Sequence, residues 1–197
     1  MDRKEALELV KPHLTEHRYV HTLGVRDSAL KLAEREDVDH EKVELAAIFH
    51  DYAKFRPKQE MRQIITDQNW DNKFITYGDE LLHAPAGSYL VEKEIGISDE
   101  EILSAIYWHT TGKVNMSAME KVIFLADYIE PNRKFPSVEE TREEAKRSID
   151  GAIIMALRNT ITFLMKKNQP VFPETLSTYN DMILKKKKME ADESNGR

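Results

Sequence analysis

His50 and Asp51 stand side by side where an apolar segment ends, in AAIFHDYAK at 46–54. A core has little use for adjacent imidazole and carboxylate groups. An unpaired buried polar group destabilises by roughly 1–3 kcal/mol, and a lone buried charge by more. Residues of the same kind recur on other apolar faces. His21 shares a helical stripe with Leu14, Val25, Ser28 and Leu32, the face that turns to the core. His109 follows Ile102, Ala105 and Ile106 on one stripe, and Asp127 lies inside IFLADYIE, one turn after Ile123. A carboxylate there needs a partner, either Arg133 or a cation. His83 precedes Ala84-Pro85, and Pro85 suits a first helical turn, which places His83 near an N-cap. Each residue alone fits a core histidine, a cap or a loop. Together they are nitrogen and oxygen donors converging on one interior. Three or four such donors hold one metal ion and six can hold two, with Asp51 as the natural bridge.

The chain has no cysteine, so disulfides and thiolate metal sites are ruled out. Nitrogen and oxygen ligands favour iron, manganese, magnesium or zinc. A bound metal lowers the pKa of its water toward neutrality and acts as a Lewis acid, the chemistry of metal-assisted hydrolysis. Asp51 or Asp127 can accept the water proton. Lys54, one turn past His50, and Arg133, across Pro131 from the Asp127 segment, can supply cations to an anionic group, Arg133 as a bidentate fork. Both also fit ordinary surface bases. Thr110 and the Gly112 turn can donate close to His109. His13, His17 and His40 lie in polar surroundings and read as surface residues; Tyr52 and Phe55 read as packing residues.

These donors must be carried by helices. Apolar periodicity predicts helices over 2–12, 15–36, 40–53, 57–67, 85–95, 99–110, 118–130, 138–167 and 174–190, and no segment shows strand alternation. Three S-x-x-E sequences, Ser98 to Glu101, Ser117 to Glu120 and Ser137 to Glu140, read as capping boxes. The expected fold class is all-α: one domain over 1–190 with a flexible tail at 191–197. Lys185 to Lys188 reads as a solvated helix end. In VFPETLSTYN, Pro173 suits the first turn of a helix, with Phe172 before it and Thr175, Ser177, Thr178 and Asn180 after it. Such a helix start can receive phosphate; a plain helix connection fits equally well.

The charge balance is 35 acids against 29 bases, a net −6. That argues against a broad nucleic-acid surface, though a small anionic substrate is compatible with local cations. The N-terminus carries no signal-peptide apolar region. The longest apolar stretch, about fifteen residues broken by Arg158 and Asn159, is too short and polar to span a membrane. The expectation is a cytoplasmic protein with no membrane or nucleic-acid partner. Oligomeric state is open, a homodimer included.

The order H…HD…H…H…D resembles the HD superfamily of metal-dependent phosphohydrolases. RYVHTLGV at 18–25, AAIFHDYAK, HAPAGSYL at 83–90, WHTTG at 108–112 and LADYIEPNR at 125–133 resemble its YqeK-type members, which split diadenosine tetraphosphate symmetrically into two ADP. The likeness covers about residues 3–190. It implies a helical HD fold and an iron-containing site, with His21, His50, Asp51 and Asp127 as ligands of one metal. His83 and His109 match positions that contact a second metal or the substrate phosphates. It also favours nucleotide contacts at Phe172, Thr175, Ser177 and Asn180. Other nucleotide or alarmone phosphohydrolases, and a nucleotide-binding sensor without chemistry, are the alternatives. The absence of a GYP sequence after the HD pair speaks against a cyclic-dinucleotide phosphodiesterase.

Overall fold

The computed structural model describes residues 1–70 and 72–195. Among these residues eleven α-helices follow in order: α1 Arg3–Val10, α2 Glu16–Ala33, α3 His40–Phe49, α4 Lys58–Asp67, α5 Lys73–Thr76, α6 His83–Leu90, α7 Glu100–Trp108, α8 Ala118–Ile129, α9 Val138–Arg147, α10 Ile149–Lys166 and α11 Pro173–Asn195. The class is all-α, with no strand among the described residues. Helix α2 packs against α3 and α8, while α7 packs against α3, α6 and α8. Helix α10 backs this group, touching α8, α9 and α11. One cluster of buried side chains runs from Ala6 to Met182.

Helix α3 stops at Phe49, short of the predicted end at 53, and the chain continues as tight turns. Tyr52 N donates to Phe49 O at 3.0 Å and Lys54 N to Asp51 O at 2.9 Å. In a regular helix neighbouring side chains diverge by about 100°. Ending the helix here lets His50 and Asp51 face one interior. Helix α6 begins at His83 itself and relaxes into a π-turn at Val91–Ile95 before Gly96, at φ 80°.

The predicted helix over 138–167 is two helices. Ser148 is extended (φ −147°, ψ 119°), and its hydroxyl accepts from Gly151 N at 2.9 Å to cap α10. Apolar spacing continues across this break, so periodicity does not reveal it. Of the three expected capping boxes only one forms: Ser117 Oγ accepts from Glu120 N at 3.2 Å, and Ser117 N donates to Glu120 Oε2 at 2.8 Å. At α7 the cap is Asp99, whose Oδ1 accepts from Glu101 N at 3.0 Å and Ile102 N at 3.2 Å. That carboxylate takes the donors Ser98 was expected to satisfy. Ser137 sits at φ 72°, and its hydroxyl turns back to Pro136 O.

Rings join the edge of α7 to the segments around it. Trp70 lies 5.2 Å from Tyr107, Phe74 lies 5.5 Å from Tyr107 and 4.8 Å from Phe172, and Tyr77 closes on Phe172 at 5.6 Å. Trp108 lies tilted against Tyr107 at 4.7 Å. Tyr52 is buried as expected and its hydroxyl donates to Glu94 at 2.6 Å, but Phe55 is 53 % exposed and is not a packing residue. Helix α11 continues to Asn195, past the predicted end at 190; of the expected tail, residues 196–197 lie outside the described residues. No described helix is long and apolar enough to cross a membrane.

Candidate metal centre

Asp51 lies at the centre of the buried polar residues. Its Oδ2 accepts from Arg18 Nη1 at 3.0 Å and lies 3.2 Å from His50 Nε2 and 3.6 Å from His21 Nε2. Its Oδ1 lies 3.1 Å from His83 Nε2 and 3.9 Å from His109 Nε2. One carboxylate thus belongs to two donor groups, His21–His50–Asp51 and Asp51–His83–His109, the donor atoms within each lying within 4.8 Å of one another. Asp127, on the last turn of α8, presents Oδ1 to His21 Nε2 at 3.1 Å and His50 Nε2 at 3.9 Å, and accepts from Arg133 Nη2 at 2.6 Å.

Hydrogen bonds on the far side of the rings set their orientation. His50 Nδ1 donates to Ala47 O and His109 Nδ1 to Ile106 O, each at 2.7 Å and each one turn back along its helix. His21 Nδ1 donates to Glu130 Oε1 at 3.0 Å. With Nδ1 carrying the proton, Nε2 is left as a lone pair facing inward. His21 Nε2 and His50 Nε2 are buried without a hydrogen-bond partner; the atoms facing them are carboxylate oxygens, which have no proton to donate. Orphaned buried acceptors destabilise a fold, and a cation among the carboxylates answers both. The residues present therefore fit a metal ion bound by nitrogen and oxygen.

The electrostatics of the two carboxylates and of His83 and His109 agree with this. Burial opposes ionisation of Asp51, yet His50 and His83 hold its carboxyl well below the usual range. Burial likewise opposes ionisation of Asp127, and Arg133, His21 and His50 overcome it. Burial pushes His83 down, and burial together with His83 and His50 pushes His109 down to about 3. Burial also works against a charged His50, but Asp51 and Asp127 outweigh it and raise its pKa. Ionised carboxylates and neutral His83 and His109 are the forms that bind metal.

The structure gathers His21, His50, Asp51, His83, His109 and Asp127 into one cluster, with Lys54 and Arg133 at its rim. Lys54 Nζ stands 3.5 Å from His83 Nδ1 and 3.4 Å from Glu80 Oε2. Thr110 follows His109, its buried hydroxyl without a partner. The α11 residues are apart: Phe172 is buried in the ring cluster, Thr175 is buried, and Ser177 and Asn180 are exposed. Among the described residues no hydrogen bond joins these four to the cluster. Their helix does reach the turn after His109, where a Cβ on Gly112 would lie 3.0 Å from Thr178 Cγ2. Sequence reasoning missed Arg18 and Glu130. Each lies three residues from a donor, Arg18 before His21 and Glu130 after Asp127, so the i, i+3 neighbours of the donors were the available signal.

The HD domain family model matches residues 18–132. The symmetrical bis(5'-nucleosyl)-tetraphosphatase of Halalkalibacterium halodurans is 60% identical over 187 residues, covering 95% of this chain and 100% of that protein. The enzyme of the same name from Bacillus subtilis is 55% identical over 183 residues, covering 93% of this chain and 98% of that one. The crystal structure of a predicted HD superfamily hydrolase involved in NAD metabolism from Clostridium acetobutylicum superposes with a TM-score of 0.88 at 38% identity, covering 94% of this chain and 98% of that one. The matched segment opens at the Arg18 that grips Asp51 and closes just past the Glu130 that orients His21, and this chain belongs to the HD domain family.

Proposed function

We propose that this protein is a metal-dependent hydrolase that splits diadenosine tetraphosphate symmetrically into two ADP. The observation that carries the reading is Asp51, one buried carboxylate shared by two pairs of imidazoles. The tetraphosphatases that it resembles from end to end supply the substrate class. Residues 1–190 act as one catalytic unit in this reading, and the cysteine-free composition suits the cytoplasm.

In the proposed site His21, His50, Asp51 and Asp127 would hold an iron ion, with manganese as the alternative. His83 and His109 would serve either a second ion or the substrate phosphates. When bound, such an ion acts as a Lewis acid toward phosphate and lowers the pKa of water. The chain's own groups do the rest. Asp51 and Asp127 are ionised and can take the proton of the attacking water. Water oxygen joins one of the two central phosphorus atoms, and the bridging oxygen leaves with the other ADP. Arg133 and Lys54 draw the phosphate oxygens into line and offset the negative charge that the carboxylates would repel. Arg18 holds Asp51 from the side opposite His83, which fixes the direction of both carboxylate oxygens. Thr110 can donate beside His109, while nucleoside contacts at Phe172, Thr175, Ser177 and Asn180 rest on the family resemblance alone.

The test is product analysis with anaerobically iron-loaded protein. ADP alone is expected from diadenosine tetraphosphate. ATP plus AMP would place the cut at the wrong bond. Faster turnover of guanosine tetraphosphate or a deoxynucleoside triphosphate would reject the substrate assignment.

A further inference from the structure

Glu130 stands just past the end of α8 and is 2 % exposed. A carboxylate so deeply buried needs partners for both oxygens. Oε1 accepts from His21 Nδ1 at 3.0 Å, and Oε2 accepts from the Asn132 backbone N at 2.7 Å and from Asn132 Nδ2 at 3.1 Å. Gly24, three residues after His21 on α2, makes the space. A Cβ there would stand 2.6 Å from Glu130 Oε2 and 3.3 Å from both Asn132 Nδ2 and Pro131 Cδ. Alanine is otherwise the better helix former, so the glycine's contribution is room for the carboxylate.

The three oriented histidines are unequal. His50 and His109 donate to neutral backbone carbonyls, whereas His21 donates to a charged carboxylate. A carboxylate behind an imidazole fixes the ring and raises its basicity as a ligand. We infer that Glu130 is a positioning residue: seated by Gly24 and Asn132, it locks His21 with Nε2 toward Asp51 and Asp127 and strengthens that imidazole as a metal donor. The inference rests on the cluster being a metal site and is independent of the substrate assigned above.

Manganese(II) binding to the full-length, metal-stripped protein tests it, with free ion followed by electron paramagnetic resonance. In E130Q the amide can still accept the hydrogen bond but the charge is gone, and affinity should fall roughly 10- to 100-fold. Gly24→Ala should weaken binding similarly, since it displaces the same carboxylate without altering an ionisable group. Thermal unfolding of the metal-free variants is recorded in parallel. A merely structural role lowers the unfolding temperature and leaves the folded protein's affinity unchanged. Affinity in E130Q within about threefold of the parent, below the range for such partners, overturns the inference. If E130Q does not fold, Gly24→Ala decides by the same criterion. If the parent protein binds no manganese(II), the metal reading itself fails and the inference falls with it, whatever becomes of the nucleotide substrate.

Discussion

Replacing Asp51 by alanine removes a donor from both groups at once. Metal content and turnover are both expected to fall, turnover by more than the roughly 10- to 100-fold typical of changes behind a ligand; metal analysis beside a product assay checks this. Unchanged turnover would refute the metal mechanism. Arg133 tests the phosphate contact. A charge-assisted hydrogen bond contributes about 1.5–3 kcal/mol, so Arg133→Ala should reduce kcat/KM by roughly 10- to 150-fold. Arg133→Lys should recover only part, because lysine keeps the charge and loses the fork. At this scale the sequence was informative where polarity and position conflict. Imidazoles and carboxylates on apolar stripes are conspicuous, so His21, His109 and Asp127 could be read. Arg18 and Glu130 were not, because a charged residue at the polar edge of a helix is ordinary on any surface. Only the fold shows that they face inward.

Helices position these groups, and their ends matter more than their middles. Asp99 caps α7, the helix that ends at His109. The Lys42 side chain hydrogen-bonds to Asp99 and lowers its pKa, against an opposing effect of burial, and the N–H groups of Ile102 and Glu101 add to the lowering. A carboxylate with a lowered folded-state pKa contributes stability that is present above its unfolded value, 3.8, and lost as pH falls through the folded value. Asp99→Asn preserves the cap and removes the titration. Its unfolding free energy should therefore decline less between about pH 5 and pH 2 than the parent's, as urea titrations across that range would show; parallel slopes would refute the assignment. At the other end of the site, Arg142 on α9 donates to the carbonyls of Ile129 at 2.8 Å and Arg133 at 3.1 Å. It thereby satisfies the Ile129 carbonyl that the end of α8 leaves open and ties down the turn that follows at Arg133. Helix existence was legible from periodicity, but the endings were not. Apolar spacing runs through Ser148 and past Phe49 without interruption, whereas the breaks are made by backbone angles and caps. The segment 73–81, which holds α5 and a short turn, shows too little periodicity to have been predicted.

Across the whole molecule, the proposed donors come from α2, the α3 end, α6, the α7 end and α8. A ligand that binds only the folded state stabilises it by about 2.7 kcal/mol at a hundred times its dissociation constant. Stripping the metal with a chelator should therefore lower the unfolding temperature, and calorimetry with and without added manganese(II) measures it. An unchanged temperature would mean that no tightly held ion bridges these helices. The ring cluster at the α7 edge has an optical consequence. The chain's two tryptophans are Trp70 and Trp108, and both belong to that cluster, with Trp108 next to His109. Intrinsic emission is thus a local reading of one flank of the centre. A heat-induced emission change that precedes the loss of helical circular dichroism would mark that flank parting from the bundle before the rest melts.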